Sequence, residues 1–372
     1  MINFLLVATL LLFSLGQLGR ISFFNQQINI YLYEIGVVLV LIVMFFKYKF
    51  RPFRSNLNLS KTLYMLIGIL LVGFFVNIFY FNSVQNLIAG LYFIRLLMYL
   101  LLIFYLLHYQ PNISQFIVIF TIITIVIGVT QYFLYPDLRN LYYDGWDPHL
   151  YRVFSQFFDT SIAGAIYGLL FLYFIQKKEF KYKKLNICLL VLLLLFIVFT
   201  FSRSLYIAFV ITTVLYFFHN HLRKFALGII ILFIIFVVIA PKPSGEGVNL
   251  IRVFTINSRM SDYKTAFELW KKQPIFGYGY NHIRDIKNTN QTFNNHAGSS
   301  FHSSFFNILI TGGVVGLLAY LFFLYQLFWM RTNGKYLGVF LITMSCFDNV
   351  LLHPFILFLV AILLFDKSQS AV

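Results

Sequence analysis

LNICLLVLLLLFIVFTFSRSLYIAFVITTVLYFFHNHLRKFALGIIILFIIFVVIA, residues 185–240, decides how this chain is read. Apolar runs at 185–201, 204–218 and 225–240 are interrupted only by the short polar breaks around Arg203 and at His219 to Lys224. A transmembrane helix needs roughly 17–25 apolar residues. These runs sit at or just below the lower end of that range and follow one another almost without loops. Extending the same template outward adds spans near 2–19, 29–46, 62–81, 84–107, 113–135, 158–176, 302–328, 336–350 and 354–366. The expected fold is all-α: a polytopic bundle of about 12 spans, one integral membrane domain over 1–372.

Composition agrees. The chain is 60% hydrophobic and 11% charged, against roughly 25% charged in soluble domains. Its 47 Phe and 25 Tyr suit helix contacts and interfacial belts. The net charge of +16 could suggest nucleic acid. Most basic residues, however, lie in short connections beside apolar spans, where they set topology and meet anionic lipid. Nucleic acid is therefore not an expected partner. Cys188 and Cys346 fall in apolar spans and read as small core residues, with no disulfide framework or metal site. The first residues lack a basic segment and a small-x-small cleavage site, so they read as the first span.

Placing the N-terminus in the cytoplasm puts 15 basic residues in the inner connections, among them Lys47, Arg51, Lys61, Lys177, Lys183, Arg223 and Lys335. The short outer connections then hold only Arg20, Arg139, Arg152 and Arg203. The positive-inside rule supports this orientation, with both termini inside. Two outer segments are long: 136–157, and the large loop 241–301. The large loop opens with Pro241-Lys242-Pro243-Ser244-Gly245, a turn-rich exit. An amphipathic helix is expected from about 258 to 272, capped by Asn257 or Ser258 and ended before Pro274. Met260, Tyr263, Phe267 and Trp270 form its apolar stripe, suited to a bilayer surface or to the bundle.

Chemistry concentrates here. Arg203 lies where two apolar runs meet. It either snorkels to headgroups or clamps phosphate, for which its planar fork is suited. Arg259 either pairs with Asp262 three residues on or holds an anion together with the helix N-terminus. His302 begins the next span. A helix N-terminus disfavours its protonated form, leaving a neutral imidazole able to take a proton from a sugar hydroxyl. His282 and His296 are alternatives from the same loop. Arg95, Glu34 and Asp348 occupy or border spans, where ionisable groups are functional candidates; an Arg95–Glu34 pair would be structural. Arg152 is a further phosphate or glycan contact. No metal site is expected: segment 20–29 has no carboxylate, and Glu246, Asp262, Glu268 and Asp285 form no cluster of the kind a hard cation prefers.

Taken in order, Ser202-Arg203-Ser204, Arg259 followed by Trp270, Pro274-Ile275-Phe276-Gly277-Tyr278-Gly279, and His302 before Gly312-Gly313-Val314-Val315-Gly316 resemble the O-antigen ligase and polymerase family. Leu18-Gly19-Arg20-Ile21 and Tyr33-Glu34-Ile35 also look like its opening. One departure is Ser303, where the family often has Asn after the histidine. The resemblance implies a GT-C type glycosyltransferase of the bacterial inner membrane. It implies an inverting reaction without metal or cofactor, on a polyprenyl (undecaprenyl) pyrophosphate-linked glycan at the periplasmic face. It assigns Arg203 and Arg259 to the pyrophosphate and His302 to the general base. Trp270, Tyr278, His296, Arg152 and Arg95 would then contact substrate. The acceptor is a lipid A core in a ligase or another lipid-linked glycan in a polymerase, and the loop motifs favour the ligase. Two other classes compete: a lipid-linked sugar transporter or flippase, usually marked by paired repeats and broken helices, and a non-catalytic export partner.

Overall fold

The computed structural model describes residues 1–24, 26–55, 57–144, 149–177, 182–243, 246–287, 300–329 and 334–367. Within these residues the chain is mostly helical. The helices run α1 (Ile2–Phe13), α2 (Leu32–Tyr48), α3 (Arg51–Ser55), α4 (Leu57–Asn77) and α5 (Ser83–Tyr109). They continue with α6 (Ser114–Leu134), α7 (Thr160–Gln176), α8 (Lys183–Phe199), α9 (Arg203–His219) and α10 (Arg223–Ile239). The last are α11 (Phe254–Lys272), α12 (Ile283–Ile286), α13 (Ser304–Trp329), α14 (Gly334–Ser345) and α15 (Pro354–Phe365). Each apolar segment marked in the sequence carries one of these helices. Four of them, α4, α5, α6 and α13, are long and apolar enough to cross a membrane by length and composition.

Helix α7 is the centre of the bundle. It is apolar on every side, and 15 of its 17 residues are buried, the pattern expected of a helix surrounded by others. Asp159 caps it by accepting from the N–H groups of Ser161 and Ile162 at 2.6 and 3.0 Å. Helix α10 is the opposite case: only Ala226 and Phe233 are buried, which leaves an apolar rod on the periphery, where lipid is the natural solvent.

The all-α expectation needs correction in the first outer connection. Arg20–Phe23 (β1) and Ile28–Tyr31 (β2) form an antiparallel hairpin, with Arg20 opposite Tyr31 and Phe23 opposite Ile28. Four-residue strands are too short for alternation to stand out from an interfacial loop. Both cysteines are also exposed free thiols rather than core residues, as a lipid-facing or rim position allows.

Helix α13 is broken inside its apolar run. Gly313 takes φ +65° and ψ −170°, and the segment Pro274–Gly279 lies along the break. The Val314 and Val315 N–H groups donate to the carbonyls of Pro274 and Ile275 at 2.9 and 3.4 Å. The carbonyls of Ile310 and Thr311 accept from Tyr278 and Gly279 N–H at 2.9 and 3.0 Å. Two lost helical bonds are thus replaced by four bonds to the inserted segment, so the Ile310 and Thr311 carbonyls and the Val314 and Val315 N–H groups keep partners. The approach requires glycine. A Cβ on Gly313 would lie 2.0 Å from the Ile275 carbonyl oxygen, and one on Gly277 would lie 2.3 Å from that of Ile310. On the far side, Asn77 of α4 donates to the Gly277 carbonyl at 2.9 Å. The PIFGYG and GGVVG motifs are the two halves of one backbone seam. It fixes the end of α11 against α13.

Candidate functional site

That seam brings Asp262, near the middle of α11, against the start of α13. Its Oδ2 accepts from the His302 backbone N–H at 2.8 Å and meets His302 Nδ1 at 2.9 Å. Its Oδ1 accepts from Lys287 Nζ at 2.8 Å. Burial raises the Asp262 carboxyl, but the hydrogen bonds from His302 and Lys287 outweigh it and hold the group at about 2. Asp262 is therefore an anion at neutral pH, bonded to one nitrogen of the imidazole. His302 remains 43% exposed, so the rest of its ring is open to solvent. Asn307 fixes the preceding residue, accepting from Phe301 N–H at 2.7 Å and donating to its carbonyl at 3.0 Å. Ser303 donates to the Ser345 carbonyl at 2.8 Å.

His302 opens on a cavity of about 640 Å³. Its walls carry six arginines, Arg20, Arg95, Arg152, Arg203, Arg252 and Arg259, against two carboxylates, Asp159 and Asp348. The first residues of α7, α9 and α15 also line it. Three helix N-termini thereby add partial positive charge. The arrangement attracts anions from several sides at once.

Arg203 begins α9. Its Nη1 donates to the Leu250 and Arg252 carbonyls at 3.4 and 3.1 Å, and its Nη2 donates to Thr255 Oγ1. It ties the bundle to the entrance of α11 through neutral acceptors, which leave its charge uncompensated. Arg259 ion-pairs with Asp348 at 2.7 Å, and Asp348 also accepts from Ser204 Oγ. The expected Arg259–Asp262 pair is thus replaced: each turns to a partner on another element. Helix α11 also starts at Phe254, with no side-chain cap. Arg259 is therefore in its second turn, and the shared hold on an anion with this helix's N-terminus does not arise.

The remaining expectations divide. Arg152 is buried on the cavity wall, with Nε donating to the Thr200 carbonyl at 2.6 Å and Nη1 3.3 Å from His149 Nδ1. Burial, followed by the charges of Arg152 and Arg252, pushes His149 well below the usual imidazole range. Arg95 lines the cavity while forming a bidentate pair with Glu34 at 2.5 and 2.8 Å. Tyr99 donates to the same carboxylate at 2.6 Å. Trp270 and Tyr278 do not line the cavity. They pack on a small separate core of Ala266, Ile283, Phe301 and Ile310, and Trp270 donates to the Pro274 carbonyl at 3.2 Å. Both therefore sit beside that core, away from the cavity that the arginines line. His282 is buried, stacked on Phe81 at 3.9 Å between ring centroids. His296 lies outside the described residues. Sequence reasoning missed Arg252, and it missed Asp262 as the partner of His302. A lone Asp or Arg in a long loop carries no spacing signal toward a residue 40 positions away.

The fold and this site define a helical membrane protein built around one strongly cationic cavity. Residues 188–321 match the family model described as O-antigen ligase. The match covers the stretch where the ordered motifs are densest and supports the resemblance read from the sequence. That match supports a membrane function of the O-antigen ligase or polymerase type. It spans Arg203, Arg252, Arg259, Asp262 and His302, whereas Arg152 and Asp348 lie outside it. No curated protein matches the chain.

Proposed function

We propose that this protein transfers a glycan from a polyprenyl-pyrophosphate carrier to an acceptor hydroxyl at the outer face of the bacterial inner membrane. The observation that carries the reading is the Asp262-bonded His302 on the rim of a cavity lined by Arg203 and Arg259. The lipid pyrophosphate binds to the arginines. The acceptor hydroxyl oxygen attacks the anomeric carbon from the opposite face, and the carbon–oxygen bond to phosphate breaks. The bonding pair leaves on the phosphate oxygen, and the hydroxyl proton passes to the open nitrogen of His302. Asp262 orients the ring and stabilises the imidazolium that forms. Arginines aimed at the leaving oxygens supply the charge stabilisation. The reaction so written inverts the anomeric centre and uses no metal.

A ligase-type acceptor, a lipid A core, is the preferred reading; a polymerase using a second lipid-linked glycan is the alternative. The test uses purified protein in liposomes with polyprenyl-pyrophosphate glycan, each acceptor in turn, and EDTA. Wild type should form product, while Arg203→Ala, Arg259→Ala and His302→Ala should not. Product only with a lipid A core identifies the ligase, and glycan lengthening without lipid A identifies the polymerase. Donor movement across the bilayer with no new glycosidic bond would replace the enzyme by a transporter.

A further inference from the structure

Arg252 lies seven residues before Arg259 and faces the same cavity. Its Nη1 donates to the Gly247 carbonyl and to that of Asn249 at 3.4 Å. Among the described residues it has no ion-pair partner, nor does Arg203. The two are physically joined, since Arg203 Nη1 donates to the Arg252 backbone carbonyl. Burial, and after it the charges of Arg203 and Arg259, lowers the Arg252 guanidinium, as crowding of three like charges requires. The cluster of Arg203, Arg252 and Arg259 contains one carboxylate, Asp348, already engaged by Arg259 and Ser204. Two positive charges are left over, held partly out of water. Such a surplus is unfavourable until a ligand brings the opposite charge.

We infer that Arg252 is a third arm of the anion clamp and makes the site selective for a pyrophosphate over a single phosphate. The inference rests on the proposed use of a lipid pyrophosphate. A lipid-linked glycosyl pyrophosphate carries one acidic oxygen on each phosphate, which matches the surplus on the cluster. Transfer breaks the sugar–oxygen bond and leaves a further negative charge on the terminal phosphate. Arg203 and Arg259 are each already tied to protein acceptors. Among the described residues, the side-chain contacts of Arg252 come from one nitrogen, so the other side of its fork remains to meet phosphate. A guanidinium can bind two oxygens at once, which a lysine ammonium does only as a point charge.

The test measures binding of farnesyl pyrophosphate and farnesyl monophosphate to the full-length protein in detergent, for wild type, Arg252→Gln and Arg252→Lys. Glutamine keeps a donor for the Gly247 carbonyl and removes the charge. Lysine keeps the charge and removes the fork, and it serves if the glutamine variant does not fold. Loss of one charge-assisted contact should weaken pyrophosphate binding roughly ten- to a hundredfold in Arg252→Gln. Monophosphate binding should stay near wild type, and Arg252→Lys should fall between. Unchanged pyrophosphate binding in either folded variant overturns the inference. So does an equal loss for both ligands, which marks a structural role. If wild type itself shows no affinity for the pyrophosphate, the proposed function fails instead.

Discussion

At the scale of single residues, the site turns on one carboxylate with two tasks. Asp262 sets which imidazole nitrogen of His302 faces the cavity, and it neutralises Lys287. Asp262→Asn should preserve donor binding and lower turnover by about a hundred- to ten-thousandfold. Replacing an orienting carboxylate by an amide leaves the histidine in the wrong tautomer. Steady-state kinetics with the donor titrated separate the two effects; an equal rise in KM with turnover intact would remove Asp262 from this role. The same residue sets an acid limit. Its folded value of about 2 lies below the ordinary Asp value of about 3.9. The group therefore contributes stability fully above about pH 4, and loses it as pH falls toward 2. Thermal unfolding between pH 6 and 3 should show the wild-type advantage over Asp262→Asn shrinking only below about pH 4. The sequence displayed Arg203, Arg259 and His302 as an ordered set. It concealed their partners, because an acidic side chain from α11 or from the turn before α15 has no local reason to prefer one cation over another. The helical i+3 spacing of Arg259 and Asp262 was real geometry, but it was overridden by longer-range contacts, at 2.7 Å to Asp348 and 2.9 Å to His302.

At the scale of elements, the seam between Pro274–Gly279 and the broken α13 holds this geometry in place. The sequence showed the glycines. It could not show the break, because the run 302–328 is as apolar as an unbroken span and the interruption exists only where a second backbone replaces the missing bonds. The β-hairpin escaped for the same kind of reason: its pairing is a relation between two short segments, not a property of either. Helices, by contrast, were legible from length and apolarity, since lipid leaves an isolated apolar segment few other ways to satisfy its backbone. Gly313→Ala should lower stability by about 2–5 kcal/mol, combining a disfavoured positive φ with overlap against the Ile275 carbonyl. It should also abolish transfer by releasing α11. Gly68 and Gly228 provide the control. Nothing lies within 4 Å of a Cβ at either, so alanine there should be neutral or stabilising by up to about 1 kcal/mol. Thermal melts in one detergent compare all three. A Gly313→Ala protein that melts and reacts like wild type would mean that the seam does not position the site.

At the scale of the whole molecule, charge is sorted in two ways. Lysines dominate the connections around 47–61 and 177–184, whereas among the described residues the cavity is lined by arginines with no lysine. The division has a physical reason. Topology needs only positive charge near headgroups, which flexible lysines supply. A partly buried site for phosphate needs planar donors that stay charged when desolvated. This sorting predicts orientation: the lysine-rich connections face the cytoplasm, and α11 with the cavity faces outward. In a Cys188→Ser, Cys346→Ser background, Lys264→Cys on the exposed face of α11 should react with a membrane-impermeant maleimide in intact cells whose outer barrier is opened. Lys61→Cys and Lys183→Cys, also exposed, should react only after lysis. The opposite pattern would put the arginines on the cytoplasmic side, where a glycan displayed at the outer face could not reach them, and would separate the proposed transfer from this cavity.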